Sequence, residues 1–444
     1  MKKITIIILL TTCMVNNYLN AQQYVGSPGF SNTTINTITD ISMDGTTPYV
    51  AFISEISGNI SVMKYDGSSW IYVGIPDFTT DFYQSYDKRL SLKMDGSTPY
   101  IAHIGSSGVE VMKFDGVNWI SLGPIIQSGD DFTFEMNGGQ PYIAYRDNYV
   151  SQKICVKTFV GGNWINVGNS GFSTTIGNSP IIKFDGSIPY ICYRSNIGYP
   201  EIMKFDGFNW ISESISNPQL YYYDYGDYDF EIKNSIPYIA YTDVNSRQLY
   251  LSSYNGISWN TIGGAIDYYN SGFSCDLEFR GNNPIIAYGS KGWFGSFNPK
   301  LTEFNGTNWI DLQALPPTTN YVDIKLAVYD SIPYLSFRDS ISSDGKISVI
   351  NFSNITSVSK TNHLTRSLIY PNPSTTTLNL KVEDVNISKI EIYTITGQKI
   401  NMPLYNKSGE TIEIDVSSLA DGVYFLKMVN TINTTEMVKF IKSS

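Results

Sequence analysis

The 444-residue sequence has few of the side chains on which most catalytic and metal sites depend. It contains two histidines and four cysteines, one of these cysteines within the first 21 residues. His103 occupies a repeated strand position and His363 lies in a polar segment, so a His-dependent triad or a multi-His metal site cannot be assembled. The other three cysteines predict small buried side chains rather than a disulfide framework or a nucleophile; they are Cys155, Cys192 and Cys275.

Helical patterning and basic charge are also scarce. No window of useful length carries a helical apolar period, whereas 33 Tyr, 22 Phe and 36 Gly favour strands and turns. This composition predicts an all-β fold. The formal charge of −10 repels phosphate backbones, which argues against nucleic acid as a partner.

Long apolar runs are absent as well. The run ITIIILL near the N-terminus is too short to span a bilayer, and nothing downstream resembles a membrane helix. A positively charged start, this short apolar run and Ala21 before Gln22 predict a cleaved signal peptide at residues 1–21. Cys13 suggests a lipid-anchored leader as the alternative, although Thr12 before it fits that pattern poorly. In either case the chain leaves the cytoplasm.

The most prominent feature of the sequence is a five-residue apolar element that occurs seven times. PYVAF at 48–52 returns as PYIAH, PYIAY, PYICY, PYIAY, PIIAY and PYLSF, beginning at positions 99, 141, 189, 237, 284 and 333. Spacings of 42 to 51 residues, filled with strand-like runs and turns, are typical of β-propeller blades. The repeats therefore predict a seven-bladed β-propeller.

Each repeat divides into four predicted strands. The first ends in a turn such as MDGTT (43–47), PYVAF is the second, and Asp-Gly or Asn-Gly turns join the third to the fourth. These short turns share one face of the propeller, so the longer connections share the other. A tryptophan after the last turn recurs in six repeats and predicts packing between blades rather than ligand stacking; the six are Trp70, Trp119, Trp164, Trp210, Trp259 and Trp309.

The last repeat has no fourth strand of its own, and a candidate for it lies at the other end of the chain. The segment QYVGSPGFS at 23–31 matches the close of WINVGNSGFS at 164–173. The matched pairs are Val25 with Val167, Gly26 with Gly168, Gly29 with Gly171, Phe30 with Phe172 and Ser31 with Ser173. We expect the mature N-terminus to supply the outer strand of the seventh blade and close the ring.

The longer connections vary and are rich in aromatic residues, which either offer flat apolar surfaces to sugars or proteins or cap the loops. Several second strands also end in a polar pair such as Arg146 and Asp147. An Arg at this place either binds a carboxylate or sulfate group bidentately or holds the turn. The candidate ligand-binding residues are Tyr83, Tyr86, Arg146, Tyr149, Arg194, Tyr222, Tyr225, Tyr268, Trp293 and Arg338.

No catalytic residue, cofactor or metal site is assigned from the sequence. Asp224, Asp227 and Asp229 are candidate calcium ligands, but they lack the spacing of a complete ligand set with a closing Glu. A solvated acidic loop is the favoured interpretation.

The turn of the type DGxxW, as in YDGSSW (65–70), resembles the Asp-box hairpin of sialidase-like propellers. In that family the box is a structural turn, so the resemblance concerns the fold. The Ser that opens the box is absent here, and no Arg triad with a Tyr and Glu pair can be placed by motif.

After Asn354 the composition changes to a polar linker, followed by alternating runs that predict an Ig-like sandwich of about seven strands. PNP (371–373), Gly397, SSLADGVY (417–424) and a terminal Lys-containing strand resemble the type A C-terminal sorting domain of type IX secretion. The resemblance implies export to the outside or outer surface of a Gram-negative bacterium, commonly with removal of the domain.

The predicted domains are thus a signal peptide (1–21), a propeller (22–352), a linker (353–367) and a sorting domain (368–444). The expected partners are the type IX machinery, through the sorting domain, and an extracellular glycan or protein, through the aromatic loop face. The alternative function is a polysaccharide-active enzyme, a glycoside hydrolase or lyase, with carboxylate catalysis in the propeller funnel. Near-equivalent repeats and the lack of an identifiable acid and base favour binding.

Overall fold

A computed structural model describes most of the chain and shows 36 strands, with no helix among the described residues. The described ranges are 23–79, 90–105, 108–126, 131–214, 228–243, 245–267, 275–291, 297–314, 324–339, 345–353, 368–381, 387–394, 398–400, 405–408, 411–430 and 435–443. The all-β prediction is confirmed, and the predicted leader lies outside these ranges. The chain divides into two compact units, Met1–Ile355 and Thr356–Ser444.

The described part of the first unit forms seven four-stranded antiparallel sheets, the first four of which are as follows. Sheet 1 contains β2 (Ile35–Asp44), β3 (Thr47–Ser54), β4 (Ile60–Tyr65) and β5 (Trp70–Tyr72). Sheet 2 contains β6 (Leu90–Asp95), β7 (Thr98–Gly105), β8 (Gly108–Phe114) and β9 (Trp119–Ile126). Sheet 3 contains β10 (Phe132–Asn137), β11 (Gln140–Asp147), β12 (Lys153–Val160) and β13 (Asn163–Asn166). Sheet 4 contains β14 (Gly177–Asp185), β15 (Ile188–Ser195), β16 (Pro200–Phe205) and β17 (Trp210–Ser214).

Three further sheets complete the first unit. Sheet 5 contains β18 (Tyr228–Lys233), β19 (Ile236–Thr242), β20 (Leu249–Tyr254) and β21 (Trp259–Thr261). Sheet 6 contains β22 (Cys275–Arg280), β23 (Asn283–Lys291), β24 (Phe297–Phe304) and β25 (Trp309–Ala314). Sheet 7 contains β26 (Ile324–Tyr329), β27 (Ile332–Asp339), β28 (Lys346–Asn351) and, from the start of the chain, β1 (Gln23–Tyr24).

Sheets 1 to 6 follow the predicted strand order, because each strand pairs with its chain neighbours through tight turns. In sheet 1, Gly45 has a φ of 55°, in the left-handed region that the turn from β2 to β3 requires. Seven of the eight residues of β3 are buried, as expected for a strand that is covered on both faces. This arrangement of similar sheets is propeller-like.

The apolar core lies between consecutive sheets rather than within one. Ala144 and Ile154 of sheet 3 belong to the same buried cluster as Ile191 of sheet 4. A corresponding cluster joins Phe52 of sheet 1 with Val349 of sheet 7. Sheets 7 and 1, the last and the first along the chain, therefore pack together in the same way as sheets 3 and 4, which are consecutive in sequence.

The chain start is paired with the last sheet through the closing segment, defined as residues 23–31. In β1, Gln23 pairs with Asn351 and Tyr24 with Ile350. Beyond β1, the closing segment makes the same backbone bonds to sheet 7 as residues 165–173 make within sheet 3. The corresponding bonds run from Val25 N to Val349 O (2.9 Å) and Val167 N to Val156 O (2.9 Å), and from Phe30 N to Ile347 O (3.1 Å) and Phe172 N to Ile154 O (3.2 Å).

The repeated tryptophans pack against the preceding sheet, which confirms their predicted role between repeats. Trp70 stacks on Phe30 of the closing segment, with ring centroids 4.0 Å apart, and Trp210 stacks on Phe172 at 4.6 Å. Four indole N–H groups donate to a carbonyl beside the preceding sheet: Trp70 to Val25 (2.7 Å), Trp119 to Val73 (2.9 Å), Trp210 to Val167 (2.8 Å) and Trp309 to Ile262 (3.0 Å).

Trp164 and Trp259 differ from these four, since their buried Nε1 atoms have no hydrogen-bond partner within the described ranges. The four accepting residues are each followed by a glycine of positive φ, which lies under the indole ring; they are Gly26, Gly74, Gly168 and Gly263. The fourth strand before Trp259 has the sequence WISES (210–214) and contains no glycine. The fourth strand before Trp164 contains Gly123, which also has a positive φ but does not lie under the indole ring.

The described part of the second unit forms two four-stranded sheets. One contains β29 (Leu368–Tyr370), β30 (Thr377–Lys381), β34 (Thr411–Asp415) and β33 (Tyr405–Ser408). The other contains β32 (Lys399–Ile400), β31 (Ile387–Thr394), β35 (Gly422–Asn430) and β36 (Thr435–Lys442). Both sheets contribute to one core, which includes Leu380, Ile392 and Leu426. These residues form a sandwich with eight strands rather than about seven.

Candidate functional site

The second strands end in residues that cap the following turn. The Asp147 carboxylate accepts backbone bonds from Tyr149 N (2.9 Å) and Val150 N (3.2 Å). Asp243 likewise accepts two backbone N–H bonds from its own turn, through one carboxylate oxygen. The acidic member of these predicted pairs thus stabilises the turn.

The Arg members lie on the same edge of the sheets, beside the longer connections. Arg146 Nη1 donates a hydrogen bond to the amide oxygen of Asn178, in the neighbouring sheet 4. Asn178 is paired directly with Arg194 across β14 and β15, so their side chains share one face of the sheet. Asn178 therefore accepts a bond from Arg146 and is the cross-strand neighbour of Arg194.

The connection from sheet 3 to sheet 4 runs past this pair. Gly177 N donates to Gln152 O (3.2 Å) in the turn of sheet 3, and Thr174 Oγ1 donates to Glu201 Oε2 (2.6 Å) in sheet 4. The loops on this edge present apolar side chains to solvent: Tyr149 is 78% exposed, Ile197 65% and Ile176 38%. We call the resulting surface the sheet 3–4 patch, formed by Arg146, Tyr149, Ile176, Asn178, Arg194 and Ile197.

Backbone conformations that L-residues rarely adopt surround the patch. Ser151 and Gln152, in the turn after Tyr149, have φ values of 54° and 57°, and Ser179 has a φ of 50°. The pairing of β14 with β15 also shifts register between Asn178 and Ile181. Such strain and such bulges persist where the surrounding structure imposes them, and they concentrate at functional sites.

Arg338 has the same position in its repeat as Arg146 but different partners. Its Nε donates to Gly345 O (3.4 Å), and its Nη2 lies 3.4 Å from Glu55 Oε2 of sheet 1. The Arg338 side chain is 17% exposed. These contacts show an Arg that holds its own turn and links sheets 7 and 1.

Of the ten candidate ligand-binding residues, the structure brings together Arg146, Tyr149 and Arg194 and places Arg338 elsewhere. The other six lie outside the described residues: Tyr83, Tyr86, Tyr222, Tyr225, Tyr268 and Trp293. Sequence reasoning missed Ile176, Asn178 and Ile197, which carry no motif. Within 289–300, Gly289–Lys291 and Phe297–Lys300 pair as strands.

A second polar region was not predicted from the sequence. The first strands of the seven sheets carry charged residues eight or six positions before the repeated proline. We call this set the inner charge cluster: Asp40, Lys93, Glu135, Lys183, Asp229, Glu231, Asp276, Glu278 and Lys325. The recurring offset was a signal that could have identified it.

Several of these groups link adjacent first strands. Asp40 Oδ2 accepts a bond from Leu92 N (2.7 Å). Asp229 Oδ2 accepts one from Leu277 N (2.7 Å), and Asp276 Oδ2 accepts one from Leu326 N (2.8 Å). Lys93 forms an ion pair with Glu135 (3.4 Å), and Lys183 forms one with Glu231.

The electrostatics of the inner charge cluster are dominated by burial and by the carboxylates of sheets 5 and 6. Burial, with the charge of Asp276, raises the pKa of Asp229 to about 8. Burial, with the charges of Glu231 and Asp276, raises the pKa of Glu278 to about 8. Burial opposes the charge of Lys183, but Glu231 and Asp229 outweigh it and hold its pKa well above the usual value.

The interactions of Asp40 extend beyond its neighbours along the chain. Burial raises its pKa, and the charges of Lys93 in sheet 2 and Lys325 in sheet 7 oppose that rise. Asp276 of sheet 6 contributes a smaller rise. Groups from sheets 1, 2, 6 and 7 thus act on one carboxylate, so the first strands converge.

The candidate metal and catalytic residues are few. Asp224 and Asp227 lie outside the described residues, and Asp229 bonds to Leu277 N as above. Within the ranges that the structure describes, no group of three or more His, Cys, Asp or Glu side chains could hold a metal ion. His103 is 4% exposed, with Nε2 3.7 Å from Glu110 Oε2. The three described cysteines are buried, as predicted.

Comparison with known families identifies the C-terminal region. Residues 368–443 match the secretion system C-terminal sorting domain. The resemblance to the type IX sorting domain is confirmed, and the protein is exported to the cell surface or the extracellular space. The described residues contain no helix that is long and apolar enough to cross a membrane. No curated protein matches the chain.

Several solved structures resemble the chain at low identity. A mutant of AofleA from Arthrobotrys oligospora has a TM-score of 0.46 at 12% identity, covering 68% of this chain and 93% of its own. The six-bladed Aleuria aurantia lectin has a TM-score of 0.44 at 16% identity, with coverages of 65% and 98%. The polysaccharide lyase Uly1 has a TM-score of 0.45 at 11% identity, with coverages of 76% and 93%. With TM-scores below 0.5, these likenesses say nothing of this chain's ligand or blade number.

Proposed function

We propose that this exported protein binds an extracellular glycan or protein through the sheet 3–4 patch. The observation that carries the proposal is the combination of exposed Tyr149, Ile176 and Ile197 with two guanidinium groups on one strained edge. Aromatic and Arg side chains are enriched at recognition surfaces, because they combine apolar area with directional hydrogen bonds.

The proposed scaffold is a seven-bladed propeller that the mature N-terminal strand closes. Support comes from the pairing of β1 with β28, from the cluster shared by sheets 7 and 1, and from the convergence of charges on Asp40. The proposed domains are the signal peptide at 1–21, the propeller at 22–352, the linker at 353–367 and the sorting domain at 368–444. The last of these engages the type IX secretion machinery.

Binding can be tested with the full chain from Gln22 onward on arrays of extracellular glycans and immobilised cell-surface polymers. We expect retention without turnover, and we expect Tyr149→Ala to weaken it at least about tenfold, as for loss of a stacking aromatic anchor. Phe208→Ala is the matched control, since Phe208 is 83% exposed but lies in a short turn on the other edge. Equal retention of wild type and Tyr149→Ala would contradict the proposal.

Carboxylate catalysis is the second candidate, and the inner charge cluster is the observation that favours it. Asp229 and Glu278, each with a pKa of about 8, can hold a proton at neutral pH. A carboxyl group that is protonated at neutral pH is what glycoside hydrolysis requires of its general acid. The same incubations, assayed for new reducing ends, test it: release that Glu278→Gln abolishes would support catalysis, and no release on any retained polymer would exclude it there.

A further inference from the structure

The interface between sheets 5 and 6 carries like charges at positions where the neighbouring interfaces of the inner charge cluster carry opposite ones. We propose that this interface is a pH-sensitive switch, which stays closed while Asp229 and Glu278 carry protons and opens locally when they lose them. It lies in different sheets from the sheet 3–4 patch, and it does not depend on binding there.

The same contact fastens three pairs of neighbouring first strands. In each, a carboxylate accepts a hydrogen bond from the main chain of the next sheet: Asp40 from Leu92 N (2.7 Å), Asp229 from Leu277 N (2.7 Å) and Asp276 from Leu326 N (2.8 Å). Each contact brings the charges of two first strands together. The charges on the two sides therefore decide whether the interface gains or loses electrostatic energy.

Other interfaces of the cluster combine acids with lysines. Lys93 of sheet 2 forms an ion pair with Glu135 of sheet 3, at 3.4 Å, and Lys183 of sheet 4 forms one with Glu231 of sheet 5. All four residues lie six positions before the repeated proline of their sheet. At this position the charges of neighbouring sheets attract each other.

Sheets 5 and 6 have acids on both sides at two positions. Asp229 and Asp276 lie eight residues before the proline of their sheets, and Glu231 and Glu278 lie six before it. Asp276 is the strongest charge acting on Asp229, and Glu231 is the strongest charge acting on Glu278. Lys183 opposes this repulsion at both acids. One cation thus faces four carboxyl groups.

Lys93 adds a smaller attraction at Glu278, and Glu231 a smaller repulsion at Asp229. Burial and these charges raise the pKa of Asp229 and of Glu278 to about 8. An open interface would expose both groups to water and lower each pKa towards its ordinary value. Opening therefore releases protons, so it becomes easier as pH rises from about 5 to about 8 and levels off above that.

The three described cysteines report on separate interfaces. Cys275 is 8% exposed in the apolar cluster between sheets 5 and 6, with Sγ 3.7 Å from Ala240 O. Cys192 lies in the cluster between sheets 4 and 5, and Cys155 in that between sheets 2 and 3. Local opening between sheets 5 and 6 should expose Cys275 and leave the other two protected.

The test is alkylation of the full chain from Gln22 onward by iodoacetamide, a neutral reagent, at pH 6 and pH 9. Peptide mass spectrometry gives the rate at each cysteine. Thiolate formation accelerates all three reactions, so the ratio of the Cys275 rate to the Cys155 rate isolates the opening. We expect this ratio to rise at least about tenfold, because release of one proton changes the opening equilibrium about tenfold per pH unit.

The variants assign the rise to the two acids. Glu278→Gln and Asp229→Asn are nearly isosteric, and each removes one titrating group, so each should reduce the rise at least about threefold. Asp40→Asn is the matched control. It makes the same change at the same strand position and in the same main-chain contact, but between sheets 1 and 2, and the rise should stay within about twofold of wild type.

The results either support the switch or overturn it. An equal rise at all three cysteines indicates global unfolding and overturns it, as does a ratio that stays constant between pH 6 and pH 9. A rise that survives both Glu278→Gln and Asp229→Asn, or that Asp40→Asn reduces as strongly, overturns the role of these two acids. A variant whose three cysteines all react rapidly at pH 6 is misfolded, and the other variant then decides.

Discussion

The pairing of the N-terminal segment with sheet 7 makes a quantitative prediction about Phe30. In the structure Phe30 stacks on Trp70 with centroids 4.0 Å apart and an interplanar angle of 6°. Phe172 makes the equivalent contact with Trp210, at 4.6 Å and 13°. Both phenylalanines are partly exposed, so truncation should cost less than the roughly 3–5 kcal/mol of a fully buried ring. We expect about 2–3 kcal/mol for Phe30→Ala and the same for Phe172→Ala.

The assay is urea denaturation of the full chain from Gln22 onward, followed by Trp fluorescence. Phe172→Ala is the matched internal control, and Phe208→Ala, at an exposed turn, should change the free energy of unfolding by less than about 0.5 kcal/mol. If Phe30→Ala behaves like Phe208→Ala while Phe172→Ala is destabilised, the N-terminal segment does not hold the ring. Hydrogen exchange adds a check, because Val25 N should be protected as strongly as Val167 N.

Three further predictions concern the tryptophan contacts between sheets, the inner charge cluster and the second unit. Trp119→Phe loses the bond to Val73 O and should cost about 1 kcal/mol more in urea denaturation than Trp164→Phe, because the indole N–H of Trp164 has no hydrogen-bond partner among the described residues. Folding raises the pKa of Glu278 from 4.5 to about 8, so the stability that this group confers is present at low pH and is lost as pH rises through about 8. Glu278→Gln should therefore be more stable than wild type at pH 9, by about 1–2 kcal/mol after solvent screening, and no gain there would contradict the raised pKa. Deleting residues 368–444 should leave the first unit folded but trapped in the periplasm, and fractionation that finds normal surface display would refute this.

The strand plan could be predicted because the sequence repeats its own turn chemistry. Gly in the Asp-Gly and Asn-Gly turns fixes each hairpin, and the apolar run after each proline fixes which strand is covered on both faces. The match of Val25 and Phe30 to Val167 and Phe172 located the strand that completes sheet 7, because the same side chains make the same backbone and ring contacts. Comparison between repeats therefore located a strand that one repeat alone would not have revealed.

The polar regions could not be predicted to the same extent. Asn178 has no sequence signature, and its role depends on a bulge that brings it to Arg194 and within reach of Arg146. Glu231 and Glu278 alternate with apolar neighbours, as charged residues do on any strand with one solvated face. Only the convergence of the first strands makes them neighbours, and convergence is a property of the tertiary structure.

Arg146 and Arg338 show how far equivalence between repeats extends. Both follow the same PYxx element, and their backbones have the same place in the second strand. Arg338 contacts a carbonyl of its own turn and a carboxylate of sheet 1. Arg146 donates a hydrogen bond to an amide on a bulged strand, and an exposed Tyr lies three residues further along the same turn. The residue type at a repeat position therefore does not decide between structure and recognition. The partner that the next sheet supplies differs between these two arginines: it is the Glu55 carboxylate for Arg338 and the Asn178 amide for Arg146.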